Sequence, residues 1–248
     1  RIIGLTLFDT DFAHDAVDLS EDIEVALDFI NRQSGRISLP LLDRLTPGKA
    51  RGLDAIAKVD AFVRSLIRAR RTAPGGHSDL LDMLMGARDA DGSGLSDEEV
   101  RNEAITLIVA VHETVATALT WTFYLLGQHP ADAERMRAEA LGALGDRQVA
   151  FDDLERLPWA LQVFKETMRL YPAAFVIGRE ARQNVTLGDY RIDAGAWVMI
   201  CPYTSHRDPR AFSNPMRFDP ARFAPAAERA LPRGAYIPFG AGPRVCIG

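Results

Sequence analysis

The chain has 248 residues, of which 47% are hydrophobic, so it is long enough to bury a sizeable core. Its net charge of -5 shows no excess of basic residues that could bind phosphates, and we predict no nucleic-acid partner. The two cysteines, Cys201 and Cys246, are too few for a disulfide framework and favour a reducing, cytoplasmic location. Because we find no apolar stretch of the ~20 residues that a membrane-spanning helix needs, we predict no membrane segment in this part of the protein.

Most of the first 171 residues have helical periodicity. Helices are predicted at residues 18–32, 49–71, 78–88, 96–127, 130–144 and 158–171. Ser96 and Glu99 form a capping box at the start of the long central helix, 96–127. Residues 104–126 of that helix are almost wholly apolar, so we expect it to be buried on most faces and to lie in the middle of the fold.

The pattern changes in the last third of the chain. Residues 185–192 and 196–201 predict two short strands around a turn at 193–195. From residue 202 onward the sequence is rich in Pro, Gly and Arg, which indicates a functional loop region. We therefore predict a mainly α fold with small β-sheets, in one domain over 1–248. Because the chain begins with Arg1 and ends two residues after Cys246, we expect a part of a larger protein, truncated at both ends.

Residues 238–248, with the sequence PFGAGPRVCIG, form what we call the cysteine loop. Its glycines and prolines fix an unusual backbone path that can aim amide N–H groups at a sulfur, and Arg244 would favour a thiolate. A lone thiolate suits an iron already held by a porphyrin, whereas zinc would need further Cys or His ligands. A buried structural cysteine fits the loop equally well, so its chemistry alone leaves both interpretations open.

The spacing Phe239-x-x-Gly242-x-Arg244-x-Cys246-x-Gly248 resembles the haem signature of the cytochrome P450 monooxygenases. The resemblance implies a cytochrome P450-like fold and haem b as the cofactor. It implies that Cys246 is the proximal thiolate ligand of the iron. It also implies that Arg244 pairs with a haem propionate and that Phe239 packs near the sulfur.

A second motif, Glu166-x-x-Arg169, lies on the predicted helix 158–171. Residues three apart share a helix face, so the two side chains can pair, as many surface ion pairs do. The spacing also resembles the structural pair of the same family. That resemblance implies a third partner, Arg222, which would join the coil to the helix through charge-assisted hydrogen bonds. We assign these three residues a role in folding and none in chemistry.

Arg179 follows the predicted helix at an offset where the family has a second propionate-binding arginine. A surface arginine at a strand edge is the alternative interpretation. The resemblance implies that Ala173, Ala174 and Val176 face the haem edge and shape the substrate pocket. These small apolar side chains indicate a mainly apolar substrate.

An acid and a hydroxyl, Glu113 and Thr114, lie side by side within the apolar part of the long helix, where polar groups are costly. They are interpreted either as a satisfied polar pair at a helix kink or as a proton source beside a hydroxyl. The segment from Ala110 resembles the family's Ala-Gly-x-Glu-Thr-Thr pattern, which implies that Ala110 borders the haem and that Glu113 and Thr114 are catalytic. Val111 and Val115 depart from that pattern, and Val111 puts oxygen activation in doubt.

The resemblance implies a monooxygenase that inserts one atom of O2 into a mainly apolar small organic substrate. Electrons would come from a separate ferredoxin or flavoprotein reductase, since no flavin or nicotinamide motif is present. Two alternatives stay open: a peroxide-using haem–thiolate enzyme and a non-catalytic haem-binding remnant. We predict that the isolated 248-residue chain binds haem poorly or not at all.

Overall fold

The computed structural model describes residues 2–9, 19–34, 48–72 and 79–247. The chain divides into two compact units, Arg1–Glu113 and Thr114–Gly248. The architecture is mainly α with small antiparallel sheets, as predicted. Residues 18, 78 and 248, which begin two predicted helices and end the cysteine loop, lie outside the described residues. The prediction of a single domain over 1–248 stays a prediction.

The first unit is built from helices packed around an aliphatic core. They are α1 (Ile2–Phe8), α2 (Leu19–Ser34), α3 (Lys49–Thr72), α4 (Leu80–Gly86) and the first part of α5 (Asp97–Gln128). The core consists of buried apolar side chains from all of these helices, namely Phe8, Leu19, Ile23, Val59, Val63, Ile67, Leu81, Val100, Ala104 and Ile108. Burial of this apolar face, spaced at helical intervals, is what drives these segments together.

Helix α5 begins where the sequence predicts. The Ser96 backbone N–H donates to the Glu99 carboxylate at 2.8 Å, and the Glu99 N–H donates to Ser96 Oγ at 3.3 Å, which confirms the capping box. The expected burial is wrong, because Phe123 is 66% exposed and Tyr124 is 51% exposed. The described residues pack against only part of this helix, so much of its apolar surface stays uncovered.

Helix α5 bears on the prediction that this part of the protein has no membrane segment. By length and composition it could cross a membrane, because its charged residues are concentrated in the first turns and the rest is almost wholly apolar. A single helix of this kind is weak evidence, since the core helix of a globular protein meets the same criterion.

The second unit contains the rest of α5 and the elements that carry the candidate site. Helix α6 (Pro130–Leu144) and helix α7 (Pro158–Leu170) both begin at a proline, which lacks the N–H that a first helical turn leaves unpaired. A 3-10 turn, Phe151–Arg156, connects them. The core of this unit is Leu125, Leu126, Trp159, Val163, Leu170 and Phe218.

Four short strands form two separate antiparallel pairs. They are β1 (Ile177–Glu180), β2 (Val185–Leu187), β3 (Tyr190–Ile192) and β4 (Trp197–Ile200), with β1 paired to β4 and β2 to β3. The predicted single strand 185–192 is therefore wrong: it is a hairpin. Gly188 has φ +58°, the left-handed conformation that a tight two-residue hairpin turn requires.

The remaining chain is mostly coil. It contains helix α8 (Pro202–Ser205), a 3-10 turn at Pro220–Phe223, helix α9 (Pro225–Arg229) and a 3-10 turn at Gly242–Arg244. Because this coil has no strand ladder, its backbone groups must find other partners. Most of those partners are other backbone groups in turns, and a few are side chains of α7 and the ring of His206, which organise the candidate site.

Candidate functional site

The second unit contains a fully buried ion pair. Glu166 and Arg169, one turn apart on α7, each have 0% exposure. Arg169 donates from Nε to one carboxylate oxygen at 2.7 Å and from a terminal nitrogen to the other at 2.8 Å. Burial raises the pKa of Glu166, while the bonds from Arg169 lower it. This two-bond geometry fits an ionised carboxylate beside a guanidinium.

The same pair fastens the coil to the helix. Arg169 donates to the backbone carbonyl oxygens of His206 at 2.8 Å, Pro215 at 2.7 Å and Arg217 at 3.1 Å. Glu166 accepts the backbone N–H of Asp219 at 2.8 Å. Two side chains of one helix thus satisfy four backbone groups of a segment that has no ladder of its own.

Arg222 is a weaker partner than expected. Its Nε lies 3.5 Å from a Glu166 carboxylate oxygen, which is an ion-pair distance. Among the described residues, however, that Nε makes no hydrogen bond. The Arg222 terminal nitrogens donate instead to the Asn214 carbonyl at 3.1 Å and to Ser213 Oγ at 3.4 Å. The oxygen that Arg222 Nε faces, Oε1, already accepts from Arg169 and from the Asp219 amide, which leaves it no free lone pair for the expected hydrogen bond.

His206 is fully buried, and its ring bridges two backbone groups. Nε2 accepts the N–H of Ile237 at 2.8 Å, so Nδ1 of the neutral ring carries the proton and donates to the Arg169 carbonyl oxygen at 3.2 Å. Burial lowers the pKa of His206 to about 4; the nearby charges of Arg169 and Arg207 also lower it, and the bond to the Arg169 carbonyl opposes them. The Tyr236 ring lies beside it, 5.3 Å between centroids.

Tyr236 provides a second attachment immediately before the cysteine loop. Its hydroxyl donates to the backbone carbonyl of Lys165 on α7 at 3.0 Å, and its ring packs on Phe223 with 4.6 Å between centroids. Burial raises the pKa of Tyr236 well above its ordinary value, so the hydroxyl keeps its proton and stays a donor.

The cysteine loop has a fixed backbone and an exposed thiol. The Cys246 N–H donates to the Phe239 carbonyl at 2.9 Å, and the Gly240 N–H donates to the Ile237 carbonyl at 3.0 Å. These two amides therefore point at carbonyl oxygens and not at the sulfur. The sequence suggests that the loop can aim amide N–H groups at the sulfur, and these two do not. Gly240 and Gly242 have φ of +75° and +76°, which glycine adopts without strain. The Cys246, Phe239 and Arg244 side chains are exposed.

The strand β1 begins next to the cysteine loop. A Cβ placed on Gly240 would lie 3.6 Å from Ile177 Cδ1, at the first residue of that strand. Arg179, two residues further along β1, is exposed, and among the described residues it donates locally, to the Gly178 carbonyl at 2.8 Å. The predicted pocket residues precede the strand: Ala173 and Val176 are half-buried, and Ala174 is exposed.

The predicted oxygen-side residues lie on α5, where the unit boundary falls between Glu113 and Thr114. Both side chains are exposed, and Ala110 is also exposed. The desolvation argument used to single out Glu113 and Thr114 is therefore wrong for this structure, because the helix face that carries them is not covered by the described residues. Val111 is half-buried.

The residues of the second unit fit a haem group by their chemistry. The loop presents one exposed thiol, an exposed aromatic ring and an exposed guanidinium, and the adjoining strand presents a second guanidinium. One thiolate is a sufficient protein ligand for an iron whose four equatorial ligands are porphyrin nitrogens. In the part of the chain that the structure describes, no cluster of three His, Cys, Asp or Glu side chains could hold a bare metal ion.

Comparison with known proteins agrees with the fold and the motifs. The family model described as Cytochrome P450 matches residues 3–248. Cyclooctatin synthase and Cyclooctat-9-en-7-ol 5-monooxygenase, both of Streptomyces melanosporofaciens, are each 34% identical over the whole chain, which covers 55% and 54% of their lengths. The crystal structure of the cytochrome P450DA heme domain is 31% identical, with a TM-score of 0.87, over 99% of this chain and 54% of that one.

These matches extend along the whole chain at substantial identity. The chain belongs to the cytochrome P450 family. It spans about half the length of the curated relatives it matches.

The sequence did not single out two groups that tie the loop to the helix, the His206 ring and the Tyr236 hydroxyl. Both bond to backbone atoms of residues 31 or more positions away in the chain, which no local pattern encodes. None of the motifs singled out in the sequence contains either residue.

Proposed function

We propose that the protein is a haem–thiolate monooxygenase in which Cys246 is the iron ligand. The observation that carries the proposal is an exposed thiol on a backbone fixed by internal hydrogen bonds, next to a strand that presents a second basic side chain. A ligand must be accessible to the iron and held at a constant position, and this loop provides both conditions. The membership of the cytochrome P450 family supports the same assignment.

Haem b would be held by Cys246, with Arg244 and Arg179 as partners of its propionates, Phe239 beside the sulfur and Ala110 along its face. Exposed guanidinium groups suit carboxylates because they present paired donors. When bound, the haem supplies the iron at which dioxygen is reduced and the substrate is oxidised.

Proton delivery is proposed for Glu113 and Thr114. The Glu113 carboxyl is exposed, so it can exchange protons with solvent. The Thr114 hydroxyl, on the next residue of the helix, can both accept and donate a proton at Oγ1. In this scheme Glu113 takes up the proton and Thr114 orients it.

The proposed substrate is a mainly apolar small organic molecule, bound beside Ala173, Ala174 and Val176. Small apolar side chains leave room for such a molecule and offer it no hydrogen bond. One relative is named as a monooxygenase of cyclooctat-9-en-7-ol, which supports oxygen insertion as the reaction class. We further propose a cytoplasmic protein that receives electrons from a ferredoxin or a flavoprotein reductase.

The test is a reduced, carbon monoxide difference spectrum of the haem-loaded protein, produced from its complete open reading frame. We expect a Soret band near ~450 nm, which thiolate ligation produces. Cys246→Ser should abolish it, whereas Cys201→Ser, a change at the only other cysteine in the sequence, should leave it intact. Survival of the band in Cys246→Ser would exclude Cys246 as the ligand.

The source of oxygen separates the monooxygenase from a peroxide-using enzyme. Val111 occupies the position where the family pattern has a glycine, so we include Val111→Gly as a variant. A monooxygenase turns over with reductase, NAD(P)H and O2, and Val111→Gly should raise that rate. Turnover with peroxide alone would favour the alternative enzyme, and a correct spectrum with no turnover under either condition would favour a non-catalytic remnant.

A further inference from the structure

A continuous path of hydrogen bonds and short chain segments joins the buried ion pair to the amide of Cys246. The Arg169 carbonyl accepts from His206 Nδ1 at 3.2 Å, and His206 Nε2 accepts from the Ile237 N–H at 2.8 Å. Two residues later the Phe239 carbonyl accepts the N–H of Cys246 at 2.9 Å. The backbone at the proposed ligand is therefore connected through the His206 ring to the most buried part of the second unit.

The His206 ring is itself held in place. The same Arg169 whose carbonyl accepts from the ring also donates from its guanidinium to the His206 carbonyl at 2.8 Å. The His206 backbone N–H donates to Pro202 at 2.8 Å, and the side chain has 0% exposure. Rotating the ring would break bonds that water cannot replace at this site, so the ring acts as a rigid spacer.

The contact with Ile237 lies at the entrance of the cysteine loop, next to the Tyr236 hydroxyl bond to Lys165. Two successive residues are thus attached: Tyr236 to α7 through its side chain, and Ile237 through its main-chain amide to the His206 ring, which itself donates to α7. The tyrosine side chain is long and rotatable, whereas the amide bond fixes the backbone itself. The bond from Ile237 to His206 therefore defines where the loop begins.

From this arrangement we infer that His206 is a positioning residue for the thiolate, which it controls through the Ile237 amide without contacting the haem. This inference rests on the proposed role of Cys246 as the ligand. The neutral ring supplies an acceptor to the loop and a donor to the helix, two functions that can be separated by substitution. Loss of the acceptor should displace the loop, and loss of the donor should not.

Replacing His206 by either of two residues with amide side chains, Gln or Asn, separates these functions. The side-chain amide of Gln reaches as far from Cα as Nε2 does, so His206→Gln keeps an acceptor for Ile237. The amide of Asn reaches only as far as Nδ1, so His206→Asn keeps the bond to the Arg169 carbonyl and leaves the Ile237 N–H unpaired. Both variants remove the imidazole and create a similar defect in packing, which makes them matched controls for each other.

The experiment measures amide exchange and the haem spectrum in the full protein. In His206→Asn we expect deuterium uptake at Ile237 to accelerate on the order of tenfold, as expected for the loss of one buried hydrogen bond. At equal haem content, the carbon monoxide band near ~450 nm should lose part of its intensity. His206→Gln should resemble the wild type in both measurements.

Equal spectra of the two variants, or a wild-type spectrum in His206→Asn despite fast exchange at Ile237, would overturn the inference. If His206→Asn does not fold, His206→Gln decides: a wild-type spectrum together with wild-type exchange at Ile237 supports the inference, and loss of the ~450 nm band contradicts it. If the wild-type protein lacks the ~450 nm band, the proposed ligand fails. Exchange at Ile237 in the haem-free variants then still decides whether His206 positions the loop.

Discussion

Replacing Glu166 by Gln keeps the size of the side chain but removes its charge beside Arg169. Both side chains are fully buried, and two hydrogen bonds of 2.7 and 2.8 Å join them. Removing one partner leaves the guanidinium buried without a counter-charge, which destabilises a protein by about 3–5 kcal/mol. For a chain of this length that corresponds to a fall in Tm of roughly 6–20 °C.

A surface pair on α6 provides the control. Glu134 and Arg137 have the same three-residue spacing and two bonds of 2.9 and 2.8 Å, but their side chains are 62% and 64% exposed. Glu134→Gln should leave Tm unchanged within error, because water solvates both partners of an exposed pair. The assay is thermal unfolding of both variants, followed by circular dichroism. Equal losses of Tm in the two variants would refute the argument from burial.

Two further predictions concern pH and backbone conformation. His206 has an ordinary pKa near ~6.5 in the unfolded chain but about 4 in the folded protein, so the unfolded state binds more protons between these values. The free energy of unfolding should fall by about 3 kcal/mol as the pH drops from ~6.5 to ~4. Urea unfolding should show this loss in the wild type and not in His206→Gln. The same dependence of the unfolding free energy on pH in both proteins would contradict the prediction. Gly240→Ala should destabilise by about 1 kcal/mol, because its φ is +75°. Gly142→Ala, inside α6 with open space around it, should stabilise the protein by about 0.5–1 kcal/mol. If urea unfolding shows that both substitutions change the free energy of unfolding in the same direction, this reasoning is excluded.

Local chemistry made much of the fold predictable from the sequence. Helix α6 has the predicted bounds, and α7 ends one residue before its predicted end. Both were predictable because a proline marks the start of each helix and the spacing of apolar residues indicates how far it extends. The Ser96 capping box was correct for the same reason. The hairpin at Gly188 was missed because its strands are only three residues long, too short to display alternation on either side of the turn.

The candidate site was less predictable, because its geometry depends on contacts between distant parts of the chain. The spacing of Glu166 and Arg169 predicted that they can pair, but it did not predict that both are fully buried. The interpretation of Glu113 assumed that an apolar helix is a buried one, and its exposure contradicts that assumption. The role inferred for His206 depends on partners 31 and 37 residues away, which only the folded chain brings together.

The attachment of the coil to α7 has a consequence for how the sequence can vary. Pro215 and Arg217 contribute carbonyl oxygens to Arg169, and Asp219 contributes its amide to Glu166, so these bonds do not depend on which side chains the three coil residues carry. Substitutions there can accumulate while the attachment persists. Glu166 and Arg169 cannot be replaced in the same way, since their bonds come from the side chains themselves. A deep mutational scan should therefore find tolerance in the coil beside strict intolerance on one turn of α7.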